Sequence, residues 1–174
     1  MTLIEKAQTI RNETENGANT ANRVGELFEF LANPAYLDAG FSGNTTVQTV
    51  TDEWSGINAD FIVEYSRLVT YDSQTKSFLY ADGDFPRPIK VNFNCYAESQ
   101  SNNSDFEFGL FLDSGEGFNL IGVSIPYTFR QSDNTELLSI SSRFDIQTGD
   151  RFKFHIRKPE GSSDILFLSS RVTI

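Results

Sequence analysis

One histidine, one cysteine and 24 acidic residues bound the chemistry this chain can do. His155 alternates with Arg151, Lys153 and Arg157, a period of two that puts all four on the water-facing side of a strand. An exposed histidine is expected there, and a histidine-based triad or histidine-rich metal site cannot be assembled within one chain. No GxSxG, GxxxxGK[ST] or HExxH is present. Asp113-Ser114-Gly115-Glu116-Gly117 lacks the regular oxygen spacing and distal bidentate Glu of a calcium loop. It reads as a turn, as does Asp82-Gly83-Asp84, with a weak loop or axial cation as the alternative. Paired carboxylates can hydrolyse glycosides, but 24 acids nominate no pair. Tyr65, Tyr71, Tyr80, Tyr96 and Tyr127 with Trp54 could form a sugar-stacking surface, although packing is the commoner use of such rings. Cys95 shares the apolar parity of Val91, Phe93 and Ala97, so a buried, inert thiol is expected. No catalytic residue, metal ligand or cofactor is assigned.

What must position these residues is mostly strand. Sixteen Phe and six Tyr against one Trp and one Met favour β structure, and 174 residues can bury one sizeable core plus a small appendage. A net charge of −10 repels phosphate backbones, so neither nucleic acid nor an anionic membrane is expected as a partner. No apolar run approaches the roughly 20 residues of a membrane span, so no membrane insertion is expected. The start Met1-Thr2-Leu3-Ile4-Glu5-Lys6 lacks the basic and apolar regions of a signal peptide, so the chain is expected to fold where it is made. One cysteine excludes an intramolecular disulfide.

Residues 1–33 read as a helical stem in two pieces. Leu3, Ile4, Ala7 and Ile10 fall on one side before Asn16-Gly17 interrupts. After a capping oxygen from Asn19 or Thr20, Ala21, Val24, Phe28 and Leu31 follow at spacings of three, four and three, a short a/d seam. Isolated helices of this length are marginal in water, so the seam needs a partner, and self-association is the economical one. The turn-rich stretch Pro34 to Gly43 opens a linker over 34–58 with room for an edge strand.

From Thr45 onward the chain reads as about nine strands in a sandwich, with 59–174 as its head domain. Leu138, Ile140, Ser142, Phe144 and Ile146 alternate, as do Phe152, Phe154 and Ile156. The last stretch, Ile165 to Ile174, is apolar on both sides and is expected at the centre of its sheet. Leu120 to Phe129 reads as one strand. Phe111 on the polar side of Asp105 to Asp113, with Leu166 and Leu168, leaves apolar surface after one core is filled. A closed ring of three copies would bury this surface and the helical seam around one axis.

Two segments carry a resemblance. Asn19-Thr20-Ala21-Asn22-Arg23-Val24-Gly25, within Asn12 to Phe28, resembles an N-terminal segment recurring in virion fibre and appendage proteins of tailed bacteriophages. The C-terminal half is similar to trimeric jelly rolls of the complement globular-head and tumour-necrosis-factor type, in which a Thr/Ala-Gly-Asp turn opens the penultimate strand. Here that turn is Thr148-Gly149-Asp150. The resemblance implies an antiparallel jelly-roll head on a helical stem, homotrimeric, made in the bacterial cytoplasm and carried on the virion surface. Leu3, Ile4, Ala7 and Ile10 would anchor it to a capsid or tail structural protein, and Ala21, Val24, Phe28 and Leu31 would hold the trimer. The head would serve host-surface attachment, with a bacterial surface glycan as the ligand met by its distal loops. No collagen-like or β-helical repeat follows the stem, which favours a short spike, head fibre or tail-tip fibre over a long tail fibre. The alternatives are a capsid decoration protein without host contact and a glycan-degrading tail spike, the latter disfavoured because no acid pair or groove-forming repeat is identifiable.

Overall fold

A computed structural model describes Gln8 and residues 35–43, 47–81 and 86–174. The stem residues 1–33 other than Gln8 lie outside the described residues. From residue 35 onward every described element is a strand, in two antiparallel sheets. The first joins β1 (Tyr36–Ser42), β2 (Val47–Val50), β4 (Ile62–Arg67), β7 (Arg87–Ser99), β11 (Glu136–Ile146) and β13 (Ser163–Thr173). Its path is β11-β7-β13-β1-β4, with β2 also on β13. The second joins β3 (Ser55–Gly56), β5 (Val69–Asp72), β6 (Ser77–Tyr80), β8 (Ser104–Asp113), β9 (Asn119–Leu120), β10 (Ile125–Phe129) and β12 (Arg151–Arg157). Its path is β10-β8-β12-β6-β5, with β3 on β12 and β9 on β8. From β10 onward each successive strand crosses to the opposite sheet, the winding of a jelly roll.

Period-two patterning decides which face is dry. In β7 inward and outward residues alternate over 13 positions: Ile89, Val91, Phe93, Cys95 and Ala97 are buried, while Lys90, Asn94 and Tyr96 are exposed. Phe152, Phe154 and Ile156 of β12 face inward from the other sheet. Phenylalanine fills the space between. Phe93 stacks on Phe154 at 4.1 Å and Phe78 on Phe152 at 5.1 Å. Phe61 meets Phe41, Tyr71 and Phe78 edge-on at 5.1 to 5.4 Å, the offset geometry that ring quadrupoles favour.

The last strand is central, as the sequence suggests: β13 lies between β7 and β1. Three expectations differ. Residues 36–42 are not a turn-rich separator but a strand between β13 and β4, burying Leu37, Ala39 and Phe41. A boundary at residue 59 therefore falls inside the sandwich, because β1, β2 and β3 all pair with its strands. The expected strand Leu120 to Phe129 is two pieces, β9 and β10, separated at Gly122, whose φ of +73° ends the ladder. The Thr148-Gly149-Asp150 turn is fixed on both sides. Gly149 (φ +96°) donates its N–H to the Tyr80 carbonyl at 2.9 Å, and Asp150 Oδ2 accepts from the Gln147 N–H at 2.9 Å.

Candidate interaction faces

The outer face of the first sheet carries a strip without charge. Across β7 and β11, Tyr96 faces Leu137, Asn94 faces Ser139 and Asn92 faces Ser141. Ser139 Oγ donates to Asn94 Oδ1 at 2.8 Å and Ser141 Oγ to Asn92 Oδ1 at 2.9 Å. Polar groups already paired with one another lose little when water is removed. Tyr96 and Leu137 remain 49% and 47% exposed. At one end of the strip Lys90 and Arg143 stand directly opposite each other, a like-charge pairing that is unfavourable by itself.

On the far side of β13 the same face is polar and irregular. Asp38, buried, accepts from Arg171 Nε at 3.0 Å and also from its Nη2, and this carboxylate holds the guanidinium above its usual pKa. The register slips at Glu64 in β4 and at Leu168 in β13, bulges that re-aim side chains. Between them lies a pocket of about 310 Å³ walled by Asp38, Gly40, Ile62, Glu64 and Arg171. At its floor the strands touch: a Cβ on Gly40 would lie 2.3 Å from the Ser170 carbonyl oxygen. Beside the start of β1, an apolar-walled groove of about 580 Å³ runs between Tyr36 and Tyr65, with Ser66 and Arg67.

The outer face of the second sheet overturns the expectation for His155, which is 7% exposed and so not a surface residue. Its neighbours across the strands are Gly109 of β8 and Gly56 of β3. The space they leave is filled from a distance. Phe111 stacks on the imidazole at 4.2 Å, Phe118 lies at 6.0 Å, and Trp54 meets Phe111 at 5.1 Å. Cations close the outside, Lys153 over Phe118 and Arg157 over Trp54. Arg157 also pairs with Glu107, which accepts from Ser124 Oγ. Phe111 is thus covered by its own chain, and the interface argument drawn from it fails. Neither imidazole nitrogen has a hydrogen-bond partner among the described residues. Burial first, then the charge of Lys153, lowers the imidazole pKa to about 4, so the ring is neutral and pairs with no nucleophile or carboxylate.

The other singled-out residues are placed as follows. Asp113 Oδ1 accepts from the N–H groups of Gly115 and Gly117 at 2.9 and 2.8 Å, closing the 113–117 loop on itself as a turn. Among the described residues no three His, Cys, Asp or Glu converge as a metal site. Asp82-Gly83-Asp84 lies outside the described residues. Cys95 is fully buried, which pushes its thiol up to about 12. Tyr80 is buried and Tyr71 half-buried, with its hydroxyl on the Ala59 carbonyl. Tyr65 and Tyr96 remain open to solvent. The anchoring set Leu3, Ile4, Ala7 and Ile10 and the seam set Ala21, Val24, Phe28 and Leu31 lie outside the described residues. The uncharged strip was missed, although Leu137-Leu138-Ser139-Ile140-Ser141-Ser142 without a single charge was its signal.

No family model matches the chain, and no curated protein matches it. Solved structures do. The Eiger TNF from S. frugiperda is 12% identical, with a TM-score of 0.54 over 80% of this chain and 92% of that one. Murine APRIL is 9% identical, with a TM-score of 0.49 over 79% and 97%. The globular domain of zebrafish complement 1qA protein is 11% identical, with a TM-score of 0.46 over 80% and 95%. The first of these likenesses shows that the described strands have a jelly-roll sandwich fold like that of this TNF.

Proposed function

We propose that the chain is a homotrimeric, non-enzymatic virion appendage of a bacteriophage, a short head fibre, spike or tail-tip fibre. Its N-terminal stem binds a capsid or tail protein, and its jelly-roll head faces the host surface. The observation that carries this reading is the strip of Asn92, Asn94, Tyr96, Leu137, Ser139 and Ser141. In a chain of net charge −10 it is uncharged, and its two serine hydroxyls are already hydrogen-bonded to its two asparagine carbonyls. Such a face is inexpensive to bury and offers two anchors, Tyr96 and Leu137. Lys90 and Arg143 would lie at its rim, where solvent screens them. The Asn19-Thr20-Ala21-x-Arg23-Val24-Gly25 resemblance supplies the virion part. Three weak head sites per trimer and many trimers per particle would give attachment by avidity.

The test is the mass in solution. Sedimentation of the full chain is expected to give three times 19.6 kDa, and Leu137→Arg, which places a charge in the strip, is expected to raise the dissociation constant about 100-fold or more. A monomeric native chain would overturn the trimer. Deleting residues 1–17 is expected to leave a trimer that no longer joins particles, and particle incorporation of that variant would overturn the anchoring role. Particles without the protein are expected to adsorb poorly to host cells; normal adsorption would leave the decoration reading instead.

A further inference from the structure

The two ends of the sandwich differ in chemistry. At one end β1 begins beside the close of β13, and Ile174 donates its N–H to the Leu37 carbonyl at 3.1 Å. At the other end β7 closes while β11 and β13 open, and the loops 100–103, 130–135 and 158–162 leave the strands there. The first two loops are tied together. Asp133 donates its N–H to the Ser99 carbonyl at 2.9 Å, Asn103 to the Arg130 carbonyl at 3.3 Å, and Ser132 to Asn102 Oδ1 at 2.7 Å. Beneath them Ser99 and Ser163 are buried, and their hydroxyls donate to the Ser101 carbonyl and the Ser101 Oγ, each at 3.0 Å. Loops held in this way by their scaffold lose little freedom when a ligand arrives. Their outward side chains are not used by the fold. Gln100 and Asn103 are exposed, and neither side-chain amide bonds to a described residue. Within 100–103 and 131–134 no residue is apolar and one, Asp133, is charged. A protein partner would need apolar or aromatic anchors. An amide both donates and accepts, as each hydroxyl of a sugar does.

We propose that the end of the sandwich remote from the start of β1 is a binding platform for an uncharged glycan, with Gln100 and Asn103 as its contact amides. This deepens the host-attachment reading and rests on it, naming the loops and the ligand class. The experiment applies the full chain to an array of purified bacterial capsular and O-antigen polysaccharides, on which many copies bind at once. Some have uncharged repeat units, and others bear uronic acids or phosphate. Retention on uncharged repeats is expected. Gln100→Ala with Asn103→Gly is expected to weaken it about tenfold or more, as two hydrogen bonds are lost. Asn103 holds a φ of +50°, which glycine adopts freely, so the backbone is kept. Gln100→Ala alone, which removes no internal bond, is expected to weaken retention about threefold, so a folding defect cannot imitate the result. Glu116→Gln, in the loop at the opposite end, is expected to change nothing. Undiminished retention of the double variant, or an equal loss with Glu116→Gln, overturns the platform. Retention confined to charged repeats, or none on any repeat, overturns the ligand class. Particles keep the two ideas apart. If particles lacking the protein adsorb poorly while those carrying the double variant adsorb normally, the platform alone is wrong; if both adsorb normally, the attachment reading itself is wrong.

Discussion

His155 shows how a single side chain can make the protein sensitive to acid. Unfolded, its imidazole takes a proton near 6.5; folded, only near 4, because it is buried beside Lys153 and stacked on Phe111. The groups facing it are Lys153 and Arg157 on its own strand and Glu107, paired with Arg157, and Asp113 on β8. The folded pKa is the lower one for a base, so stability is complete above 6.5 and falls as pH drops towards 4, by at most about 3 kcal/mol. Urea midpoints measured from pH 7 to 4 are expected to follow this slope, and His155→Phe is expected to flatten it. Asp72, held near 2 mainly by Arg151, keeps its charge across that window; its own contribution is lost only below about 3.8. The sequence gives the correct parity for His155 but not its cover. Period two says which side of a strand a residue faces, whereas Trp54, 101 positions away, backs the Phe111 ring that covers His155 only through the fold. Phe111, an aromatic on the same side of the adjacent strand, was the available clue.

At the scale of elements, legibility follows the strength of alternation. The strands β7, β11 and β12 carry apolar residues at most of their alternate positions and are readable within a residue or two. By contrast β1 reads poorly, because Asp38, Ala39 and Gly40 are chosen for closeness rather than bulk. Asp38 pairs with Arg171, and Gly40 lets the chain approach β13. Gly40→Ala must separate β1 from β13, since the obstacle is a backbone carbonyl 2.3 Å away. A loss of about 3 kcal/mol is expected in chemical denaturation. Gly109→Ala meets the Leu120 methyl at 2.5 Å and the Phe111 ring at 2.9 Å, side chains that can move, so a smaller loss of about 1 kcal/mol is expected. Equal losses would mean that the Gly40 contact is softer than its geometry implies.

For the whole molecule, the sandwich was legible from strand spacing, and its jelly-roll form was implied by the resemblance that the Thr148-Gly149-Asp150 turn carries, while the uncharged strip on its outer face was not. The strip on β7 and β11 exists only once Asn92 and Asn94 meet Ser141 and Ser139, some 45 to 49 residues on. The described strands of both sheets, and the described core between them, lie within 35–174. Removing residues 1–33 is therefore expected to shift the melting temperature by less than about 4 °C, equivalent to roughly 1 kcal/mol in a domain of this size. A fall of about 10 °C or more would show that the head leans on its stem. Finally, β13 has a consequence for how the protein is made. The strands β1, β2 and β7 all await the same neighbour, and that neighbour is translated after every one of them. While the ribosome is still at work, half the sandwich is unzipped and sticky, so a stalled or prematurely terminated chain is a candidate for chaperones and proteases rather than a smaller working head.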